Sequence, residues 1–424
     1  MGVALGFGLL VGMLALATPG RAVVCGDADG NGTVSVTDGV DVLRAAVGLG
    51  DCDPSVCDVD GNGAVTVTDG VDVLRAAAGL TTLTGCGGGS LEPRRAFLRD
   101  LVAVVALPGY VQLAANAQAL EVATQTLVST PGPDTLTLAQ DAWLAARHAW
   151  KRTEAFRIGP SESLLTAARI DWSPADTAAI DAEIAGTRVF SSEYIDTLDA
   201  PKVGFQAIEY LIFDPHGGNA AVVTTLSGPN NVRRRAYLQA LATNLRVQTE
   251  LLRDAWEPSG GDFGTDLVNS GIGGQSFPTL AAAFDAEVDR LILTAETMEA
   301  RVGGPLGDDT GGVPQPDLVE TPRSGDTLGG VAADLQGIAD VYLGTFQGAQ
   351  GTGLSDVVAP LGADVDMEMR QRLGTATTAV DAVPTPLEDA IFSDPGDVLT
   401  ADESLQAVLQ ALLDVANRLG VPLT

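Results

Sequence analysis

The chain has 424 residues, room for two or three domains; 46% of them are hydrophobic and only 5% aromatic, a mixture that favours helix packing over aromatic-rich β-sandwiches. Its formal net charge of −31 excludes nucleic acid as a partner, because phosphates would be repelled, and argues equally against anionic membrane surfaces. Divalent cations and basic partners are compatible with it.

Residues 1–22 hold an apolar run from Val3 to Ala17 followed by Thr18-Pro19-Gly20-Arg21-Ala22. The run is short for a membrane span and ends in small residues, so it reads as a signal peptide, although no Lys or Arg precedes it. No later stretch reads as a transmembrane segment in the mature chain. The expectation is an exported protein in the periplasm, at the cell surface or outside the cell. All four cysteines, Cys25, Cys52, Cys57 and Cys86, fall within residues 23–86, and an even count in an exported module predicts two disulfides. Cys25–Cys52 with Cys57–Cys86 is the symmetric pairing; Cys25–Cys86 with Cys52–Cys57 would clamp the ends together.

The same segment contains an internal repeat. Asp27-Ala-Asp-Gly-Asn-Gly-Thr-Val-Ser-Val-Thr-Asp38 recurs as Asp58-Val-Asp-Gly-Asn-Gly-Ala-Val-Thr-Val-Thr-Asp69, and each copy runs into Gly-Val-Asp-Val-Leu-Arg-Ala-Ala. Calcium is a hard cation that takes six to eight oxygens, and a twelve-residue loop supplies them from alternate positions. Asp27, Asp29, Asn31, Thr33 (through its carbonyl) and Asp38 form the first candidate set. Asp58, Asp60, Asn62, Ala64 (again through its carbonyl) and Asp69 form the second, so two Ca²⁺ ions are expected. Helical spacing predicts that Val40, Leu43 and Ala46, and likewise Val71, Leu74 and Ala77, are buried. With Asp closing each loop and only the following helix evident, the repeat resembles the dockerin variant of the EF-hand. That resemblance implies a cohesin-like partner, recognised around Val36-Thr37 and Val67-Thr68.

A Gly-rich linker is expected over 87–93, then a first helical bundle over 94–302, a Gly/Pro-rich connector over 303–325 and a second bundle over 326–424. The predicted helices are Arg94 to Val128, kinked at Pro108-Gly109, Asp134 to Phe156 with Asp134 as N-cap, Ala175–Ala185, Lys202–Phe213, Val232–Trp256, Thr279–Val302, Thr327–Leu343, Ala363–Val380 and Asp402–Leu419. Strand alternation is nearly absent outside the loops. The fold class is therefore mainly α: two helical-bundle halves preceded by a small EF-hand-type module.

Asp141-Ala-Trp-Leu-Ala-Ala-Arg-His-Ala-Trp-Lys-Arg-Thr-Glu-Ala-Phe-Arg-Ile-Gly-Pro160, Gly204-Phe-Gln-Ala-Ile-Glu-Tyr-Leu-Ile-Phe213 and the segments Ser324 to Gly344 and Gly353 to Asp356 resemble the imelysin family over residues 92 to 424. The resemblance implies two bundle-like halves around a cleft, export, and either peptidase activity or a part in iron uptake. At the family's GxHxxE segment, Gln206 stands in place of His while Glu209 is kept. A carboxamide is a poorer transition-metal ligand than an imidazole, so the residues lean against a metallopeptidase and towards metal- or iron-related binding, with a chemically inert scaffold as the other reading. Iron or zinc in the helical domain would call on Gln206 and Glu209, with Glu154 approaching from the neighbouring helix and His216 folding back to replace the lost ligand. Against these stand a Gln206–Glu209 pair satisfying each other or nearby backbone, and Glu154 in a helix-surface salt bridge. His148, Trp143 and Trp150 read as packing residues.

Overall fold

Each acidic loop of the repeat leads into a helix whose start is fixed by its own sequence. In the computed structural model of the protein, α1 (Val36–Ala46) and α2 (Val67–Ala77) both begin with a capping box. Asp38 Oδ2 accepts the N–H and hydroxyl of Ser35, and Asp69 Oδ2 does the same for Thr66. The described residues are 24–59, 65–81, 83, 88–160, 166–384 and 386–422. The expected signal peptide, Asp60, Asn62, Ala64 and Cys86 lie outside them. The chain divides into two compact units, Met1–Gly88 and Gly89–Thr424.

In the first unit, α1 and α2 pack on each other through a glycine apiece. A Cβ on Gly39 would sit 2.6 Å from the Leu74 side chain, and one on Gly70 would sit 2.5 Å from Leu43. Each leucine thus lies over the other helix's glycine. This contact turns the buried face away from the one the spacing predicts. Val42 and Val73 join Cys57 and Val59 in the core, while Val40 and Val71 are 45% and 36% exposed. The symmetric disulfide pairing is also not the one formed. The short helix Pro54–Cys57 brings Cys52 and Cys57 to a Cα separation of 6.1 Å, and those two are bonded. Cys25 is disulfide-bonded as well.

The second unit is mainly helical, as predicted. Gly88–Asp100 (α3) is already helical where a linker is expected over 87–93. It continues through a π-helical turn, Leu101–Ala106, into α4 (Leu107–Ser129). The π-turn stands where the sequence predicts a kink: Pro108 cannot donate a backbone bond, and widening the preceding turn makes room for its ring. By length and composition Glu92–Ser129 would suffice to cross a bilayer, contrary to the expectation that no later stretch is long and apolar enough. Phe97, Leu98, Leu101, Val105, Tyr110 and Leu113 sink one side of it into the protein core.

The following long elements are α5 (Pro133–Arg152, with Gly132 rather than Asp134 at the N-cap), α6 (Gly204–Ile212), α7 (Val232–Trp256), α8 (Leu280–Leu306), α9 (Thr327–Leu343), α10 (Ala363–Ala382) and α11 (Pro395–Leu419). Of the one-turn to three-turn helices between them the sequence predicts Thr177–Ala185, expected from Ala175, but misses others such as Gly218–Ser227 and Leu387–Ser393, and a small hairpin pairing Thr345–Phe346 with Ala349–Gln350. α4 packs on α5 and α7, α8 on α9 and α11, and α10 on α11; α9 also packs on α5. Through α9 the two expected bundles share one continuous core from Phe97 to Val421. The connector expected from 303 begins only at Gly307, because α8 runs on to Leu306 and tolerates Pro305 in its last turn.

Candidate functional site

The segment Gly204 to Ile212 forms α6, an enclosed helix: Phe205 to Glu209, Leu211 and Ile212 are all buried. Gly204 opens it at φ +73°, and a Cβ there would overlap the carbonyl oxygen of Ile170. Only glycine meets both demands. α5 holds α6 in place through Trp143 Nε1 donating to the Phe205 carbonyl at 3.0 Å and Gln140 Nε2 donating to that of Ile212 at 2.8 Å. Trp143 and Trp150 are core residues.

Gln206 and Glu209 lie one turn apart on α6 but take different partners. Gln206 Nε2 donates to Asp171 Oδ1 at 3.1 Å. Glu209 Oε1 accepts the backbone N–H of Ser324 at 2.9 Å and its hydroxyl at 2.7 Å. Burial pushes the Glu209 carboxyl up to about 7, although Ser324 and the Arg147 and Arg323 charges oppose the rise.

Around them lies a buried ion network that the sequence reading does not anticipate. Arg147, Lys151 and Glu154 recur at i, i+4 and i+7 along α5 and the 3₁₀ turn that follows it, and so share one face. Lys151 Nζ stands 2.7 Å from Glu320, 3.2 Å from Asp171 and 3.2 Å from Glu154. Arg147 pairs with Glu320 at 2.8 Å and Asp326 at 3.2 Å. Arg301 of α8 reaches Glu154 at 3.0 Å and Glu320 at 3.3 Å, and also grips Asp334 of α9. Burial works against every charge here, yet the surrounding carboxylates hold Arg147 and Lys151 above their ordinary values. Burial alone would raise Glu320; Lys151, Arg147 and Arg301 bring it down to about 2, and Arg301 and Lys151 hold Glu154 well below the usual range. Asp334 moves the other way, raised by burial and by the Glu154 charge.

Glu154 is therefore 5% exposed and inside the network, not on the helix surface. His216 does not fold back. It is exposed in the turn after α6, where Asp214 Oδ1 accepts the His216 N–H at 3.0 Å. The motif residues do not fit a bound metal ion: the Lys151 ammonium already occupies the space among Asp171, Glu154 and Glu320, and Glu209 Oε1 is engaged by Ser324. Among the described residues, the acidic groupings close enough to share one ion are Asp27, Asp29 and Asp38, and Glu299, Asp308 and Asp402.

Beside the network, between α4, α5 and α9, lies a cavity of about 260 Å³ lined by Gln112, Asn116, His148, Arg152, Gln336 and Phe346, among others. His148 is half-exposed, and its Nε2 lies 2.9 Å from Asp326 Oδ1, so it links the cavity to the network. Arg152 is ion-paired with Asp340 and stacks on Phe346 at 4.3 Å. His148 thus lines a largely apolar cavity, where the sequence predicts only packing.

In the first unit the loop Asp27 to Asp38 is wound around its own acidic side chains. Asp27 accepts the N–H groups of Asn31 (3.0 Å) and Gly32 (2.7 Å), Asp29 accepts Asn31 N–H (2.9 Å), and Asp38 Oδ1 accepts Asp29 N–H (3.1 Å). The Thr33 N–H donates to Asn31 Oδ1. In the second copy Asp58 and Asp69 are buried, and Asp69 Oδ1 accepts Val59 N–H at 2.9 Å.

The profile of the imelysin family (Peptidase_M75) matches residues 106–415. The chain is 30% identical over 338 residues, covering 78% of itself and 88% of the relative, to iron-regulated protein A of Synechococcus elongatus. Its fold matches the crystal structure described as an iron-regulated protein A precursor from Parabacteroides distasonis, with a TM-score of 0.65, 18% identity, and 77% of this chain and 95% of that one covered. It also matches an imelysin-like protein from Psychrobacter arcticum, with a TM-score of 0.61, 16% identity and coverage of 79% and 98%. The chain belongs to the imelysin family.

Proposed function

We propose that the protein is an exported binding protein whose helical unit captures a compact iron-containing compound without hydrolysing anything, and whose first unit binds two calcium ions. The observation that carries this reading is the closure of the motif site. A hydrolytic metal needs ligands and an open position for water, and here Lys151 and its salt bridges take the space while Gln206 is turned to Asp171. The cavity next to it offers an alternative. At about 260 Å³ it is far larger than a bare ion, and a mainly apolar wall carrying an imidazole and several amides suits a small organic chelate. The names of the relatives from Synechococcus elongatus and Parabacteroides distasonis support an iron-related cargo. The apolar run at Val3–Ala17 and the Cys52–Cys57 disulfide support export to an oxidising compartment.

The first unit reads as dockerin-like. Its first loop brings Asp27, Asp29 and Asp38 within reach of one ion, and the repeat gives the second loop the same ligand set. Val36 and Val67, at matching loop positions, are 60% and 52% exposed, which favours docking onto a cohesin-like partner. The cargo reading is tested by titrating ferric citrate into the whole chain carrying Asp27→Ala and Asp58→Ala, which silences the loops. Micromolar binding that His148→Ala weakens at least tenfold and Glu209→Gln leaves alone supports it. Absence of binding, or cleavage of casein that a chelator stops, refutes it.

A further inference from the structure

Away from the motif helix and its cavity, three carboxylates from distant parts of the chain meet at the end of α8. Glu299 of α8, Asp308 in the turn after it and Asp402 of α11 bring oxygens within 4.8 Å of one another. Asp402 is 1% exposed. Its Oδ2 accepts the Gln406 amide at 2.8 Å, and the same amide reaches Glu299 Oε1 at 3.2 Å. Its Oδ1 is buried and receives no N–H or hydroxyl among the described residues, facing instead the carboxyl of Asp308. That oxygen is aimed at the space over Gly303, where a Cβ would lie 2.7 Å from it and would also overlap Asp308 Oδ2. The glycine leaves open the point on which both oxygens converge.

Only the neutral Gln406 amide, among the described residues, meets this charge. Among the described residues no Lys or Arg is ion-paired with Glu299, Asp308 or Asp402, and the charges acting on Glu299 and Asp402 come from other carboxylates. Burial, with Asp308 and Glu299 adding to it, pushes Asp402 up to about 7. Asp308 also follows the C-terminus of α8, the end of a helix dipole that repels anions. A buried carboxylate oxygen without a donor is costly unless something positive meets it.

We propose that Glu299, Asp308 and Asp402 form a site for a hard divalent cation of the calcium class, which ties the end of α8 to α11. All the donors are oxygens, with no imidazole or thiolate among them, and flexible carboxylate geometry suits calcium better than zinc or ferrous iron. The cation supplies the positive partner that Asp402 Oδ1 lacks.

The test uses the whole chain carrying Asp27→Ala and Asp58→Ala, so that calcium uptake by the first unit does not mask the result and failure of the loop assignment is seen separately. Calcium titration by calorimetry should reveal one site with a dissociation constant of about 10⁻⁴–10⁻³ M, the range of weak extracellular calcium sites. Asp402→Asn and Glu299→Gln should each weaken it at least tenfold. Calcium at ten times that constant should raise the tryptophan-monitored melting temperature of the parent by about 2–4 °C and leave Asp402→Asn unmoved. Without calcium, Asp402→Asn should melt no lower than the parent, which shows that the variant folds. No calcium heat at tenfold above the expected range, or binding that both variants retain, would overturn the site. Tighter binding of zinc than of calcium would overturn its assignment to hard cations.

Discussion

Replacing Glu209 with Gln isolates one consequence of burying a carboxyl on the motif helix. Glu209 is 2% exposed and its pKa is raised from 4.5 to about 7. A raised folded-state value means that the group's stabilising contribution is fully present below about pH 4.5 and is lost as pH rises through about 7. At 1.36 kcal/mol per unit, the loss above pH 8 is about 3 kcal/mol. The amide of Glu209→Gln keeps Oε1 as acceptor for the Ser324 N–H and hydroxyl but does not ionise. Wild type and variant should therefore agree within about 1 kcal/mol near pH 5. They should diverge as pH rises, the variant becoming relatively more stable by about 3 kcal/mol at pH 8.5. Urea unfolding followed by tryptophan fluorescence measures this directly, because all four tryptophans lie between residues 143 and 256, inside the helical unit. Taking the difference between the two proteins cancels the other groups that titrate with them, Asp402 included. Parallel pH profiles would show that Glu209 is ionised throughout and that its burial carries no such cost.

Lys151→Met should destabilise the helical unit by about 3–5 kcal/mol, since Glu154, Asp171 and Glu320 lose their shared cation; the same urea titration reads it at neutral pH. Gly204→Ala should cost more than about 1 kcal/mol, from positive φ and overlap with the Ile170 carbonyl, and should lower the melting temperature. Gln206→His restores the family residue yet should give no casein cleavage, because the Lys151 ammonium still fills the centre of the site. Asp27→Ala with Asp58→Ala should remove two calcium ions from the native mass spectrum of the whole chain. A spectrum with neither loop occupied in the unmutated protein under saturating calcium would contradict the ligand assignment.

The sequence shows best what depends on neighbours along the chain. Val232–Trp256 and Thr327–Leu343 fold as helices over the predicted bounds, because their apolar spacing is long and uninterrupted. The connector between the bundles is placed too early at Gly303 and Pro305, which are still helical: the glycine leaves room for the Asp308 and Asp402 carboxylates, and the proline falls in a last turn that tolerates it. In the first unit the helical period of Val40 and Val71 is right, but the face is wrong, since the Gly39–Leu74 and Gly70–Leu43 contacts set the rotation. The site itself is partly legible. Gly204, Gln206 and Glu209 stand out as a motif, and Arg147, Lys151 and Glu154 betray one charged face on an otherwise alanine-rich helix. Their partners Arg301, Glu320 and Asp334 come from far along the chain, and no local pattern announces them. The same holds for Glu299, Asp308 and Asp402, which only the packing of α8 against α11 brings together.

Iron-edge anomalous diffraction from crystals soaked in ferric citrate tests the central claim most directly. The account predicts a peak in the cavity lined by His148, Arg152 and Gln336, with Lys151 still bonded to Asp171 and Glu320. A peak between Gln206 and Glu209 with Lys151 displaced would contradict it.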